Sequence, residues 1–441
     1  MKHRLLLAAL LWMSAAVLYA EKTPPPPAAI DGLVLRSGLW AAGSGDLQAE
    51  MKTLGFEWTS AAQDVARSVQ PGLTLAGASL NEVLVRFSDG KVAGVTVIYF
   101  NRGDAGELSE KNFEKLLADL RASLTTVAGK PPVERGRDAA SAVRAEGLVW
   151  DTATAKHVLE WSVTKESKTK MIPFRAEFVR LNLLPPGGGE PTIGASAPSN
   201  ARQAVKAFVG RDHVVKAAGG EVKLKDVPMV DQGQKGYCVV ATVERVMRYY
   251  GAEVDQHELA QIANSDSSKG TSMDAMLASL KKLTARLGVK TKAIYDWDIA
   301  DFLKMVDDYN RATKRGKLAP EVQLGNRIID VDEVFAQIKP EIYKEVRLKK
   351  TADFGKFQRE IQRSIDEGVP LLWSVRLGLI KEKEIPQAVG GHMRLITGYN
   401  LTTKEILYSD SWGMGHEEKR MAVDDAWTIT NGLTSLQPLG S

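Results

Sequence analysis

A stretch rich in proline, glycine, serine and alanine divides this chain of 441 residues into two parts. It spans residues 185–205 and begins, directly after Leu184, with the run Pro-Pro-Gly-Gly-Gly-Glu-Pro. Such a composition marks a linker, because proline and glycine interrupt helices and strands. A chain of this length rarely packs around one hydrophobic core. We therefore predict two folded parts, an N-terminal domain over residues 32–184 and a second domain over residues 206–441.

The bulk composition is that of a globular protein, with 44% hydrophobic and 25% charged residues. Lys and Arg number 58 against 54 Asp and Glu, which leaves a formal net charge of +4. This near balance does not indicate a surface for nucleic acid, which would require clustered positive charge.

The N-terminus has the pattern of a secretory signal peptide. A basic start at residues 2–4 precedes an apolar run that ends at Ala20. We predict a signal peptide over residues 1–20, cleaved after Ala20 or Ala16, and a proline-rich spacer over residues 21–31. No later segment is apolar for long enough to span a bilayer. We therefore expect a secreted or periplasmic protein without stable membrane insertion.

The first domain has the pattern of a small α+β fold. Asp89-Gly90 is a strong hairpin signal between two runs rich in valine and isoleucine, Glu82–Phe87 and Lys91–Phe100. Leucines recur at helical spacing between Lys111 and Thr125. Further strands are predicted at 148–150, 157–163 and 174–183. Nothing in this half indicates a site, and its role as a propeptide, a binding module or a spacer stays open.

The chain has one cysteine, Cys238, at the end of the loop Asp231-Gln-Gly-Gln-Lys-Gly-Tyr-Cys238. A lone thiol cannot form an internal disulfide, so it is either reactive or buried. The apolar residues from Val240 to Tyr250 recur at helical spacing, and Gly251 ends the run. Cys238 is therefore predicted at a helix N-terminus, where unpaired N–H groups and the helix dipole stabilise a thiolate. The alternative is an inert core cysteine.

Gln232 lies six positions before the cysteine. Its side-chain amide and the backbone N–H of Cys238 could together form an oxyanion hole for a carbonyl under attack by the sulfur.

His392 and Asp410 are the candidates for a base and its orienting carboxylate. His392 follows Gly390-Gly391 and opens an apolar segment that we predict as a buried strand. Asp410 ends the next predicted strand, Glu405–Ser409, so a hairpin would bring both side chains together. The carboxylate could then hold one ring nitrogen while the other faces Cys238. The alternatives are a turn histidine and a turn-capping aspartate.

Three neighbouring residues complete the candidate site. Trp412 is predicted to pack over the histidine–aspartate pair and shield it from water, and the competing interpretation is a core tryptophan. Tyr237 and Gly391, which flank the nucleophile and the base, are candidates for substrate binding or site shielding.

Together these motifs resemble the papain-like cysteine peptidases, and most closely the C39-like peptidase domains of bacteria. The segment Gln232–Cys238 is similar to the nucleophile loop of those families, and Gly391-His392 is similar to their histidine strand. Asp410-Ser-Trp-Gly413 resembles the Asn-Ser-Trp-Gly of papain, with the aspartate that C39-like domains have. The resemblance covers about half of the chain, from near Val227 to near Trp427.

The resemblance implies an α+β, papain-like/C39-like domain, with a helical half and an antiparallel sheet, behind the small α+β N-terminal domain. It implies that Cys238 is the nucleophile, that His392 is the general base and then the acid, and that Asp410 orients the imidazole. A charged, helical stretch over residues 295–353 is longer than a compact C39-like domain requires, so we expect an insertion that could shape or block the cleft.

The predicted function is that of an exported cysteine peptidase that forms a thioester acyl-enzyme on a peptide or protein substrate. Two alternatives stay open. One is an acyltransferase or amidase that acts on cell-wall or small peptides with the same residues, since the first half-reaction is shared. The other is a catalytically inactive peptide-binding protein. No metal and no organic cofactor is implied, and the oligomeric state is not indicated.

Overall fold

The architecture is seen in a computed structural model of the chain. It describes residues 27–135, 145–164, 173–187, 203–233, 237–252, 254, 259–260, 278, 281, 287–296, 298–324, 329–387 and 389–439. The predicted signal peptide, most of the predicted spacer and most of the predicted linker lie outside these residues. We call the described residues between 27 and 187 the N-terminal module and those between 203 and 439 the C-terminal module.

The N-terminal module is built on an antiparallel sheet of eight strands in the order β2-β3-β6-β7-β11-β10-β9-β8. A small sheet, β1-β4-β5, lies beside it. The strands are β1 (Ala28–Ala29), β2 (Glu57–Trp58), β3 (Val65–Ser68), β4 (Leu73–Leu75), β5 (Ala78–Ser79), β6 (Glu82–Ser88), β7 (Lys91–Asn101), β8 (Val133–Arg135), β9 (Ala145–Asp151), β10 (Lys156–Thr164) and β11 (Arg175–Leu184). The helices are α1 (Asp31–Val34), α2 (Ser44–Thr53), α3 (Arg102–Ala105) and α4 (Glu110–Ala128). One hydrophobic core runs through this module from Ile30 to Leu183.

Local sequence signals account for the main elements of this module. The hairpin β6–β7 turns at Asp89 and Gly90, which both have positive φ, as a type I′ turn requires. Helix α4 begins where Ser109 accepts a hydrogen bond from the backbone of Asn112, and it ends at Gly129 in the left-handed conformation.

Part of the predicted spacer is folded. Residues 28 and 29 form β1, which pairs in parallel with β4, and Ile30 is fully buried. The sequence Ala28-Ala29-Ile30 contains no proline, so its backbone N–H groups are available for pairing, and those of Ala28 and Ile30 donate to Gly72 and Thr74.

The C-terminal module combines helices with a second antiparallel sheet. The strand order is β12-β13-β16-β15-β19-β14, with β17 beside β16 and β18 beside β17. Its strands are β12 (Val214–Lys216), β13 (Glu221–Leu224), β14 (Val289–Tyr295), β15 (Leu371–Leu377), β16 (Gly390–Asn400), β17 (Glu405–Ser409), β18 (Lys419–Ala422) and β19 (Thr430–Pro438). Its helices are α5 (Cys238–Tyr249), α6 (Ile299–Gly316), α7 (Val331–Gln337), α8 (Pro340–Leu348), α9 (Thr351–Asp366) and α10 (Val423–Ile429).

The second core, from Val205 to Leu436, lies between this sheet and its helices. Helices α5 and α9 both pack against β16, the strand at which the sheet branches. The α+β class predicted from the sequence is therefore confirmed. None of the helices in the described part of the chain has the length and apolar character that a membrane crossing requires.

Candidate active site

The nucleophile candidate opens helix α5. Cys238 is its first residue and is partly exposed, whereas the following residues of the helix are almost all buried. Tyr237, the N-cap residue, makes no capping hydrogen bond with its side chain. Because Cys238 is the first residue of α5, it lies at the positive end of the helix dipole. Residues 234–236 of the predicted nucleophile loop lie outside the described residues.

The base and its carboxylate come from neighbouring strands. His392 lies near the start of β16, and Asp410 directly follows β17, which pairs with β16. The Nε2 atom of His392 is 3.0 Å from Oδ1 of Asp410, and both side chains are fully buried. A carboxylate can only accept, so Nε2 carries the proton and donates it. Nδ1 is then the ring atom available to the thiol.

The thiol and the imidazole are adjacent. The side chain of Cys238 contributes to raising the pKa of His392 through a hydrogen bond and through charge. By strict geometry, however, Nδ1 has no hydrogen-bond partner among the described residues. The thiol of Cys238 and Nδ1 of His392 are therefore neighbours whose hydrogen bond is imperfectly aligned. Catalytic hydrogen bonds are often long until a substrate binds.

The protonation of the pair follows from two opposing effects. Burial lowers the pKa of His392, but the hydrogen bond to Asp410 and the neighbouring thiol outweigh burial, so this pKa lies above its usual value. Burial raises the pKa of Asp410, but the hydrogen bond to His392 and the charge of Arg394 outweigh it, so this pKa lies below its usual value. The site therefore favours a charged carboxylate beside a protonated imidazole.

Trp412 covers the imidazole. Its ring stacks on that of His392 with centroids 4.1 Å apart and planes inclined by 8°. The tryptophan is itself partly exposed, and His416 meets its ring edge-on at 5.5 Å. The ring of Trp412 therefore lies over one face of the imidazole.

Gln232 is tied to the loop that carries the carboxylate. Its backbone N–H donates to the carbonyl of Ser411 at 2.8 Å, and the hydroxyl of Ser411 donates to its Oε1 at 2.6 Å. The bond from the Ser411 hydroxyl identifies Oε1 as the accepting end of the amide, so Nε2 is the end that donates. The arrangement places a side-chain donor on the segment that leads to Cys238.

Tyr237 and Gly391, the two candidates for substrate binding or site shielding, differ in their exposure to solvent. Gly391 is exposed beside His392, and a side chain there would meet no atom within 4 Å. Tyr237 is 0% exposed, and its hydroxyl donates to Oδ1 of Asn101 in the N-terminal module at 3.3 Å. The phenol of Tyr237 thus has no surface with which to contact a substrate, because the N-terminal module covers it.

Sequence reasoning missed Arg394, the second partner of the carboxylate. Its Nε donates to Oδ1 of Asp410 at 2.9 Å, and its Nη2 lies 2.8 Å from Oε2 of Glu382. The guanidinium also lies 4.7 Å above the ring of Tyr408, whose hydroxyl donates to Glu382. The signal was available, because Arg394 is two residues after His392 in one strand and so lies on the same face.

Arg245 is a second residue that sequence reasoning missed. It lies on α5, two turns after Cys238, and it is fully buried. Its Nη1 donates to the backbone carbonyl of Asp410 at 3.0 Å, and its Nη2 donates to Oγ of Ser409 at 2.6 Å. Burial lowers the pKa of Arg245 to about 10. This arginine joins the nucleophile helix to the loop of the carboxylate.

The described residues contain no group of histidine, cysteine, aspartate and glutamate side chains that could hold a metal ion. The arrangement has the parts of a thiol hydrolase: a thiol at a helix start, a buried imidazole, an orienting carboxylate and an amide donor.

Residues 304–435 match the model of the Peptidase_C39 like family. The resemblance to the C39-like family is therefore confirmed over this range, which contains His392, Asp410 and most of the stretch 295–353. The match begins after Gln232 and Cys238, so it does not include these two residues. No curated protein sequence matches the chain.

Proposed function

We propose that this chain, with its C39-like C-terminal region, is a cysteine peptidase that hydrolyses peptide bonds through Cys238, His392 and Asp410. The observation that carries the proposal is the position of His392. Its ring is hydrogen-bonded to a buried carboxylate on one side and adjacent to the chain's one thiol on the other.

The reaction starts with transfer of the proton from the thiol of Cys238 to Nδ1 of His392. The sulfur then attacks the carbonyl carbon of the substrate, and the carbonyl π electrons move onto oxygen. The backbone N–H of Cys238 and the amide of Gln232 donate to that oxyanion. Collapse of the tetrahedral intermediate breaks the C–N bond, and the imidazolium gives its proton to the leaving amine.

The second half-reaction removes the acyl group from the sulfur. His392 takes a proton from water, whose oxygen attacks the thioester carbon. The intermediate releases the sulfur, the carboxylic acid leaves, and the thiol regains its proton from His392. Asp410 holds the ring orientation through both steps, and Trp412 covers the ring face against water.

The raised pKa of His392 suits this chemistry. A histidine that holds its proton strongly is a good acceptor for the proton that the thiol has to lose before the sulfur attacks. Because the chain has a single cysteine, every cysteine reagent reports on Cys238 alone.

The test is a digest of a peptide mixture by the wild type and by Cys238→Ala. We expect cleavage by the wild type and a loss of at least about 10³-fold in the variant, since removing a nucleophile eliminates the covalent route. His392→Gln should lose activity similarly. His416→Gln is the matched control, because His416 contacts Trp412 without reaching the carboxylate side chain, and it should retain turnover within severalfold.

Two outcomes would change the assignment. Equal cleavage by the wild type and Cys238→Ala would exclude a thiol mechanism. Products that carry an added amine in place of free acid would identify an acyltransferase, which shares the first half-reaction. Labelling by iodoacetamide gives an independent check, since a slow rate that follows an ordinary free thiol at every pH would contradict an activated nucleophile.

The proposal includes export. A signal peptide over residues 1–20 would deliver the chain to the periplasm or the medium, where the thiol has to stay reduced for activity.

A further inference from the structure

The N-terminal module holds the loop that precedes the nucleophile through an ion pair. Arg67 of β3 is almost fully buried, and its Nη1 lies 3.3 Å from Oδ2 of Asp231. Its Nε donates to Oε1 of Glu82 at 2.6 Å, which fixes the guanidinium. The other oxygen of Asp231 accepts from the backbone of Gly233 at 2.7 Å. The buried arginine therefore braces both neighbours of Gln232, the proposed oxyanion donor.

A second contact lies immediately before Cys238. The hydroxyl of Tyr237 donates to Oδ1 of Asn101, and the same oxygen accepts from the backbone of Gly103 at 3.1 Å. The phenol lies directly over the backbone of α3. A Cβ atom on Gly103 would be only 1.6 Å from the hydroxyl oxygen of Tyr237. The absence of a side chain at Gly103 therefore makes room for the phenol of Tyr237.

A third contact reaches the loop that carries the carboxylate. Oε1 of Glu417 accepts from the backbone N–H of Ala61 at 2.9 Å, and Oε2 accepts from Gly415 at 2.7 Å. The neighbouring residue His416 accepts at its carbonyl from the N–H of Asp410 at 3.0 Å. The N-terminal module thus touches both sides of the site.

These contacts leave the nucleophile residue Cys238, but not the buried His392, accessible to solvent. Cys238 is partly exposed and Gly391 is exposed, although Tyr237 between them and the N-terminal module is fully buried. An inhibitory propeptide has to cover the nucleophile, whereas this module holds the residues around it. Removal of the module would expose the phenol of Tyr237 and would leave Asp231 without Arg67.

We propose that the N-terminal module is a permanent positioning platform for the thiol site and is not a propeptide removed on activation. Arg67 and Gly103 are positioning residues, which act on catalysis through Asp231 and Tyr237. The positioning role rests on the proposed peptidase function, but the docking of the module and its effect on Cys238 can be measured without any substrate.

The first experiment compares Gly103→Ala with Gly45→Ala in the intact chain. Neither glycine has positive φ, and a Cβ on Gly45 would meet no atom within 4 Å, so Gly45→Ala controls for the substitution itself. Gly103→Ala displaces Tyr237, and we expect about tenfold slower labelling of Cys238 by iodoacetamide at mildly acidic pH, because small displacements at a reacting group are costly. Circular dichroism verifies folding of each variant. Two folded variants with the wild-type labelling profile would overturn the proposal.

The ion pair provides a graded version of the same test. Arg67→Gln should lower kcat on a cleaved peptide with a smaller change in KM, and Arg67→Lys, which keeps the charge, should recover part of the loss. If the wild type cleaves no peptide at all, the peptidase assignment fails, and the labelling profiles of these variants still decide whether the platform acts on the thiol.

The second experiment cuts the connection between the modules. A recognition sequence for a specific protease is inserted between residues 190 and 199, and the full chain is cleaved after purification. We expect the two pieces to elute together with the labelling rate of the uncut protein. Separation of the pieces with unchanged or faster labelling of Cys238 would identify a spacer or a propeptide and overturn the proposal, including in the case that Gly103→Ala does not fold.

Discussion

One carboxylate oxygen of Asp410 accepts hydrogen bonds from two side chains. Oδ1 accepts from both His392 and Arg394, at 3.0 Å and 2.9 Å, in a site from which water is excluded. In a buried site such charge-assisted hydrogen bonds are strong. The negative charge of the carboxylate also offsets the positive charge of its buried partners. The hydrogen bond from His392 and the charge of Arg394 together hold the pKa of Asp410 below its usual value, against the effect of burial.

This arrangement predicts the effect of Asp410→Asn on the histidine. The amide keeps a hydrogen bond but removes the charge that raises the pKa of His392, so burial dominates and the pKa falls. An NMR titration of the histidine resonances measures the change. His157, a buried residue of the N-terminal module, is the internal control and should titrate as in the wild type. An unchanged or higher pKa of His392 in the variant would contradict this account of the site.

The raised pKa also predicts how stability depends on pH. A folded protein that binds a proton more tightly than its unfolded chain gains stability below the ordinary histidine pKa of about 6.5. That gain is lost as the pH rises through the raised pKa of the folded state. The difference in unfolding free energy between the wild type and His392→Gln should therefore be largest in mild acid and shrink toward alkaline pH. Urea unfolding at a series of pH values checks the direction, and a difference that grows with pH would contradict it.

Arg394→Leu should be strongly destabilising. It removes the cation shared by two carboxylates, so buried Asp410 keeps only His392 as a charged partner and Glu382 loses its ion pair, which costs about 3–5 kcal/mol. The matched control is Arg420→Ala, since Arg420 is 41% exposed in its pairs with Glu221 and Glu418 and should contribute no more than about 1 kcal/mol. Chemical denaturation of both variants measures the contrast, and similar small losses would show that the network is not coupled.

At the scale of elements, β16 organises the site. It carries His392 and Arg394 on one face, and it pairs with β13, β15 and β17. Gly398 lies where β13 and β17 both approach. A Cβ there would be 2.7 Å from the carbonyl oxygen of Val222 and 2.9 Å from Cβ of Lys223. The glycine is therefore required for close pairing of this strand.

Gly398→Ala should push β13 away from β16 and destabilise the fold by about 1–3 kcal/mol, the usual cost of overpacking. Gly432→Ala in β19 of the same sheet is the control, because the nearest atom to its Cβ would be at an ordinary 3.5 Å. Thermal or urea unfolding compares the two variants. Equal stability of both would mean that the sheet yields at Gly398 without cost.

The elements that sequence could predict are those with local signals. The hairpin at Asp89-Gly90, the helix after Cys238 and the strand after Gly391 each follow from spacing and turn residues within a few positions. The hydrogen bonds that join distant elements do not follow from such local signals. Arg245 reaches Asp410 across 165 residues, and Tyr237 reaches Asn101 across 136. Such contacts depend on how finished elements pack, so residue spacing alone could not reveal them.

At the scale of the whole molecule, the two modules meet beside the site. The composition of residues 185–205 predicted a separation between two parts, and it said nothing of their docking. The contacts of Arg67, Gly103 and Ala61 with the C-terminal module show that the described parts of the chain share a polar interface beside Cys238. A linker pattern marks where a chain can bend, but it carries no information on whether the flanking parts touch.

The remaining prediction concerns delivery of the molecule. A basic start followed by an apolar run is the pattern that export machinery recognises, so the chain expressed in a bacterial host should reach the periplasm or medium without residues 1–20 or 1–16. Cell fractionation followed by intact-mass measurement identifies the mature N-terminus. Leu7→Arg breaks the apolar run and should leave an uncleaved chain in the cytoplasm, while Leu33→Ala, which lies beyond the run, should still be processed. An uncut wild-type chain in the cytoplasm would contradict export and would remove the need to explain how a lone thiol stays reduced outside the cell.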